Sequence, residues 1–162
     1  MRHNVTEKEF TMRFLQILTM VLALGFTAFS AKADVSPVDG TAVHFGKAYA
    51  YQTAAHQKNG AVFFKVQNLL DKDLKIVGAS TDVAEMVELH THSMDGGNMS
   101  MYPVDSFTLP AGETHELKPT GDHIMLMMLK RPLKIGEAFD VMVTLDTGEE
   151  FSIPVSVLSL SE

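Results

Sequence analysis

Three pairs of metal-ligating side chains stand two residues apart in this sequence: His90 and His92, Met99 and Met101, and His123 and Met125. The first two pairs lie in the segment ELHTHSMDGGNMSMYPV, residues 88–104, beside Asp95, Gly96, Gly97, Asn98 and Ser100. Methionine ordinarily fills gaps in a core, whereas those neighbours are turn formers. Thioethers in a polar segment next to imidazoles are better placed to hold a metal than to pack. A set of two imidazoles and two thioethers is neutral and soft. It suits copper(I), whose filled d shell imposes no geometry and tolerates low coordination numbers. Zinc gains little from thioether sulfur, and calcium and magnesium demand clustered oxygen. The open carboxylate-and-water arrangement of a hydrolytic metal site is missing too. The chain contains no cysteine, which removes thiolate zinc sites, thiol redox chemistry and blue-copper centres.

Side chains two apart share a side only on an extended strand, so this chemistry needs a sheet. In residues 85–92 the order E-M-V-E-L-H-T-H puts Val87 and Leu89 on one face and Glu88, His90 and His92 on the other. In residues 123–129 (HIMLMML), Ile124 and Leu126 face a core while His123 and Met125 face away from it. The rest of the chain carries the same pattern of short β-forming runs. Strands are expected at 41–51, 61–67, 74–79, 83–92, 99–104, 106–109, 114–117, 123–129, 138–145 and 151–157. Turn residues break them, among them Lys58-Asn59-Gly60, Asp71-Lys72-Asp73, Gly96-Gly97, Pro110-Ala111-Gly112 and Pro119-Thr120-Gly121. No apolar stripe of helical period runs for twelve residues. The expectation is an all-β antiparallel sandwich or barrel in a single domain.

The donors follow the spacing H-x₁₀-M-x₂₁-H-x-M, from His90 through Met101 and His123 to Met125. This resembles the motif of the periplasmic copper(I) chaperones called the PCu(A)C family. The flanking segments agree: VELH at 87–90, MDGG at 94–97, LPAG at 109–112 and ELKPTGDHIMLM at 116–127. Upstream, AYAYQTAAHQKNGAVFF at 48–64 and LKIVGAST at 74–81 look like that family's opening strands. The resemblance implies a cupredoxin-like Greek-key β-sandwich with one copper(I) per chain near its surface, held by His90, Met101, His123 and Met125. It further implies delivery of copper to the assembly of cytochrome c oxidase, especially its dinuclear copper centre. The partners would be the copper-accepting oxidase subunit or a thiol-bearing assembly protein. Some relatives carry a His/Met-rich C-terminal extension with a copper(II) site; the ending SVLSLSE has none, and no such site is expected.

The other candidates have plainer expectations. His92 and Met99 share faces with the ligands and are placed to assist capture or to replace a lost ligand. Met94 is expected at the rim, with Tyr102 and Pro103 as an apolar border. Met127 is expected to pack, and Met86, Met128 and Met142 to lie in the core. His44, His56 and His115 are expected to be ordinary surface histidines. Imidazoles must be neutral to ligate, so binding is expected to weaken below about pH 6.

Arg2, Lys8 and Arg13 precede an apolar run at 14–29, and Ala31 and Ala33 follow it in the small-x-small pattern of a cleavage site. A secretory signal peptide over 1–33, cleaved after Ala33, is expected. The run is shorter than the roughly twenty residues of a spanning helix, so no membrane span is expected after cleavage. The mature domain, 34–162, has 9 Lys and Arg against 18 Asp and Glu, a net charge of −9. Such acidity repels nucleic acid and suits a soluble monomer in the periplasm. An enzyme is not expected: no catalytic triad spacing and no phosphate-cradling glycine loop is present. The remaining readings are a copper storage or resistance protein and a metal-free β-sandwich interaction module.

Overall fold

The short β-forming runs become strands, and the described residues contain no helix. The computed structural model describes residues 42–95 and 98–160, all within one unit spanning 35–162. The expected secretory leader and the Gly96-Gly97 turn lie outside the described residues. In chain order the strands are β1 (Val43–Phe45), β2 (Ala48–Tyr51), β3 (Gly60–Asn68), β4 (Leu74–Ser80), β5 (Ala84–Asp95) and β6 (Asn98–Pro103). They continue with β7 (Phe107–Leu109), β8 (Thr114–Leu117), β9 (His123–Leu129), β10 (Ala138–Leu145) and β11 (Glu150–Leu158).

Hydrogen bonding links them in the order β6-β5-β9-β3-β2-β11-β10-β4-β7, with β1 and β8 also paired to β3. Among the described residues only the β2–β11 pair is parallel. Strands distant in sequence lie side by side, as in β5–β9, β3–β9 and β4–β10, which is the crossover connectivity of a Greek key. β3 joins the two layers by changing partners along its length. Its first residues pair with β9 and β2, and the residues from Phe64 onward pair with β8 and β1.

That partner change splits the expected 41–51 strand in two. β1 pairs with the far end of β3 (Phe45 opposite Val66) and β2 with its near end (Tyr49 opposite Phe63). Between them the chain steps across at Gly46, whose N–H donates to the Lys65 carbonyl at 2.8 Å. A side chain at Gly46 would meet that carbonyl at 3.4 Å, so the step is tight.

The core is the set of inward-facing apolar residues from both layers, with Phe45, Phe64, Ile76, Leu117, Ile124 and Leu126 among the largest. β10 shows the alternation cleanly: Phe139, Val141, Val143 and Leu145 are buried, and Asp140 is exposed. Two methionines expected in the core are on the surface instead. Met86 has the parity of Glu88 and His90, which turns it from the core. Met128 has φ 53°, a left-handed backbone that breaks the alternation, leaving Met128 exposed and turning Leu129 inward. Met142 is half-buried.

One buried polar side chain fixes the join between layers. Asn68 is fully buried and satisfied: its Nδ2 donates to the carbonyls of Lys72 (2.8 Å) and Leu109 (2.9 Å). Its Oδ1 accepts from the Leu70 N–H at 3.0 Å. The amide thus ties the turn after β3 to β7, and a hydrocarbon of equal size would strand three backbone groups. Replacement Asn68→Leu should cost about 2–3 kcal/mol of stability, read from urea denaturation as a lower midpoint with unchanged slope.

Candidate metal centre

β5 is flanked by β9 and β6, and the register of these three strands collects the donors. His90 lies directly opposite His123, and Glu88 opposite Met125. On the other flank His92 lies opposite Met101. Directly opposed residues of an antiparallel pair share a face, as do residues two apart. His90, His92, Met101, His123 and Met125 therefore all project from the face opposite to Leu89, Ile124 and Leu126.

That face continues onto β3 and β2 and is not open to solvent throughout. Ala61 opposes Met125, and Phe63, two residues on, opposes Tyr49. Phe63 packs beside His123 with ring centres 6.2 Å apart, and Tyr49 and Tyr51 pack on Phe63 at 5.3 and 5.9 Å. His123 is accordingly only 2% exposed and His90 9%. The histidines face away from the hydrophobic core, as their alternation requires, but His123 lies beside a second, aromatic cluster and His90 packs against His123. Met101 remains about half exposed, at 48%.

Each imidazole has one nitrogen held by an acceptor. The turn 118–122 closes through Lys118 N–H to the Asp122 carbonyl (2.8 Å) and Gly121 N–H to the Lys118 carbonyl (3.0 Å). It aims the Gly121 carbonyl at both His123 Nδ1 (2.9 Å) and His92 Nδ1 (3.1 Å). A carbonyl only accepts, so in both rings Nδ1 carries the proton and the Nε2 lone pair is left for a ligand. His90 is held the other way round, Nε2 against the Glu88 carboxylate at 2.8 Å. Its Nδ1 is buried and has no hydrogen-bond partner. Metal-ligating histidines characteristically pair their second nitrogen with a carbonyl or carboxylate, and an orphaned buried nitrogen calls for an occupant. The residues present thus fit a soft cation. Among the described residues no three His, Asp or Glu side chains form a metal-holding group, so the thioethers are needed to complete any set here.

The donors surround an open cavity of about 300 Å³ whose lining includes Tyr51, Phe63, His92, Met101, His123 and Met125. His90 is not on that lining and stands behind it, its ring centre 5.9 Å from that of His123. The ring of His92 is closer to His123, at 5.1 Å. Of the four residues expected as ligands, three meet at the cavity and the fourth backs them. Met99 is exposed beside Met101, and Met127 is half-buried; the side chain of Met94 is outside the described ones. Tyr102 does not border the cavity, because alternation along β6 turns it to the face opposite Met101. Tyr51, Phe63 and Leu160 supply the apolar border instead.

Sequence reasoning missed several supporting groups. Glu88 was marked only by its i, i+2 relation to His90. The Gly121 carbonyl has no side-chain signature at all. His115, which spacing leaves without a partner, pairs through Nε2 with Asp122 at 2.9 Å and stacks on Phe107. That pair braces the outer side of the turn whose inner carbonyl holds the two imidazoles.

Burial pushes the pKa of His123 down; the Gly121 carbonyl partly opposes this, and the neighbouring His92 and His90 add to it. The folded protein therefore keeps His123 neutral to lower pH than the unfolded chain does. Above the ordinary imidazole range both states hold the same protons at this site. Below it the unfolded chain gains a proton that the fold refuses, so stability falls with pH until folded His123 protonates as well. The metal-free protein should lose thermal stability on going from pH 7 to pH 5. A His123→Phe variant, lacking that titration, should lose less over the same interval in melting experiments.

Comparison with known proteins points one way. A model of the LpqE-like family matches residues 43–157. The chain is 32% identical over 159 residues to the protein Lxx21020 of Leifsonia xyli subsp. xyli, covering 93% of each. It is 30% identical to the copper(I) form of DR1885 from Deinococcus radiodurans, with a TM-score of 0.57 over 82% of this chain and 87% of that one. The copper-bound PCuAC domain of PmoF2 superposes with a TM-score of 0.62 at 15% identity, over 72% of this chain and 92% of that one, a likeness of fold alone. The expected all-β, cupredoxin-like architecture is the one observed.

Proposed function

The chain belongs to the LpqE-like, PCuAC-type family of copper chaperones, and on that footing we propose that it carries one copper(I) ion and releases it by ligand exchange. The ligands are His90 through Nδ1, His123 through Nε2, and the sulfurs of Met101 and Met125. The observation that carries this reading is the buried, unpartnered Nδ1 of His90 directly across the strand pair from His123. Around it the available donors are imidazole and thioether, the combination that favours copper(I) over hard cations.

The arrangement also suits a carrier rather than a catalyst. The two imidazoles are held by hydrogen bonds to Glu88 and Gly121 and define the inner side of the site. Met101 is half exposed on the outer strand β6, so an acceptor can displace its thioether first. Exchange then passes through mixed-ligand complexes, as thiol exchange passes through mixed disulfides. Burial lowers the pKa of His123, which keeps its imidazole neutral, and so able to ligate, to lower pH than an ordinary histidine.

Delivery to the dinuclear copper centre of cytochrome c oxidase, directly or through a thiol-bearing assembly protein, is the destination we infer from the family. Export to the periplasm is part of the same reading, with residues 1–33 as a cleaved leader and 34–162 as the single copper-carrying domain. The family is described as one of lipoproteins, yet a thioether-linked lipid needs a cysteine and this sequence has none. We place the protein in the periplasm. Within the described residues no helix is long and apolar enough to cross a membrane.

Competition with a chromophoric copper(I) chelator under anaerobic, reducing conditions tests the reading. The parent should bind one copper(I) per chain. A Met101→Ala, Met125→Ala double variant should bind roughly a hundredfold or more weakly, beyond the 10–100-fold typical of losing an outer-shell group. Unchanged affinity in the double variant would place the metal elsewhere. Transfer to a purified copper-accepting oxidase fragment then separates delivery from storage.

A further inference from the structure

The four soft donors that line the open cavity are not the four assigned above. They are His92, Met101, His123 and Met125, with His90 set behind them. Three donors are common to the two sets, and the sets differ only in which histidine of the H-x-H pair takes part. We propose that His92 is a transfer ligand: copper(I) rests on His90, Met101, His123 and Met125, and leaves through a second state in which His92 has replaced His90. This rests on the copper-carrying function proposed above and adds a residue and a step to it.

Geometry and chemistry both favour the exchange. His90 and His92 are two apart on β5 and project from the same face. His92 opposes Met101 on β6, the outermost strand of the sheet, whereas His90 opposes the buried His123. The route from His90 to His92 thus runs from the inside of the site to its mouth. With metal–imidazole bonds of about 2.0–2.1 Å, two rings on one ion have centres roughly 5–6 Å apart. The pairs His90–His123 and His92–His123 lie at 5.9 and 5.1 Å, separations that match two rings sharing one ion.

His92 is also prepared as a ligand in the way His123 is. Both rings donate Nδ1–H to the Gly121 carbonyl, which presets the same tautomer and leaves Nε2 to bind. In the exchange a bond from copper to His92 Nε2 forms as the bond to His90 Nδ1 breaks. No electron moves and the oxidation state is unchanged. No proton moves either, because that of His90 stays on Nε2 against Glu88 and that of His92 stays on Nδ1 against Gly121. The need for such a step follows from burial. The binding nitrogen of His90 has no contact with solvent, so an acceptor cannot attack from that side. Moving the metal one histidine outward brings it into the cavity, where an incoming thiolate reaches it while three ligands are kept.

The test compares equilibrium and rate in the same proteins. Copper(I)-loaded parent, His92→Ala, His92→Gln and His90→Ala proteins are mixed in stopped flow with excess bicinchoninate, and copper(I) affinity is measured separately. His92→Gln retains an N–H donor for the Gly121 carbonyl but no imidazole nitrogen, which guards against a collapsed turn in the alanine variant. Both His92 variants should keep one copper(I) with affinity within about threefold of the parent, yet transfer it about tenfold or more slowly. His90→Ala should lose affinity about tenfold or more without slower transfer. Transfer at the parent rate in both His92 variants would overturn the relay and leave the copper site intact. A loss of affinity in them as large as in His90→Ala would make His92 a resident ligand and also overturn it. A parent that binds no copper(I) would refute the function itself, and with it the relay, before any rate is measured.

Discussion

Everything at the donor face depends on the register between β5 and β9. His90 opposite His123 and Glu88 opposite Met125 is one alignment of two strands whose side chains alternate with period two. A slip of one residue would exchange the faces, sending imidazoles into the core and Leu89 into the aromatic cover. The apolar partners prevent this: Leu89 and Ile124 are opposed to each other and buried on the other face. The hydrophobic core thus sets the geometry of a site to which it contributes no atom. The same register, extended across β6 and β3, places Met101 on one side of the histidines and Phe63 on the other.

Within that frame the two donor types have different freedoms. The imidazoles are held, each by one hydrogen bond through the nitrogen not needed for a metal. The thioethers have no such restraint and are long, flexible and polarizable. A firm pair of imidazoles and a yielding pair of thioethers make a site that closes around a soft ion without fixed geometry and opens on the Met101 side. The turn 118–122 matters more than its length suggests. It orients two imidazoles with one carbonyl and is braced from behind by the His115–Asp122 pair.

Much of this was legible in the sequence, and what was not has physical reasons. The period-two pattern identified the strands, and β8, β9 and β10 have the expected limits. The parity of His90, His92, Met101, His123 and Met125 followed from the same pattern. Parity tells which side of a strand a residue faces but not what lies over that side. Hence the burial of His123 beside Phe63 and its tyrosines, which come from β2 and β3, and of His90 behind His123, could not be read locally. The Gly121 carbonyl was invisible because backbone acceptors are common to all residues. Thr41–Tyr51 read as one strand because both halves are extended; only their pairing with opposite ends of β3 divides them. Met128 read as core because alternation was assumed to continue through a residue whose backbone turns left-handed.

The second histidine of the H-x-H pair shows why a spacing motif underdetermines a site. Two imidazoles two residues apart on a strand are equivalent in sequence. They become different once one faces a buried partner on β9 and the other an exposed thioether on β6. A site that only had to retain its metal would gain from placing every ligand at the depth of His90. A site that must also give the metal up needs its ligands graded in depth, and this sheet supplies the grade across three adjacent strands: His123 innermost, His90 and His92 on the strand between, Met101 at the edge. Retention and release are therefore graded in two directions: across the strands from His123 to Met101, where neighbours are set by pairing, and along β5 from His90 to His92.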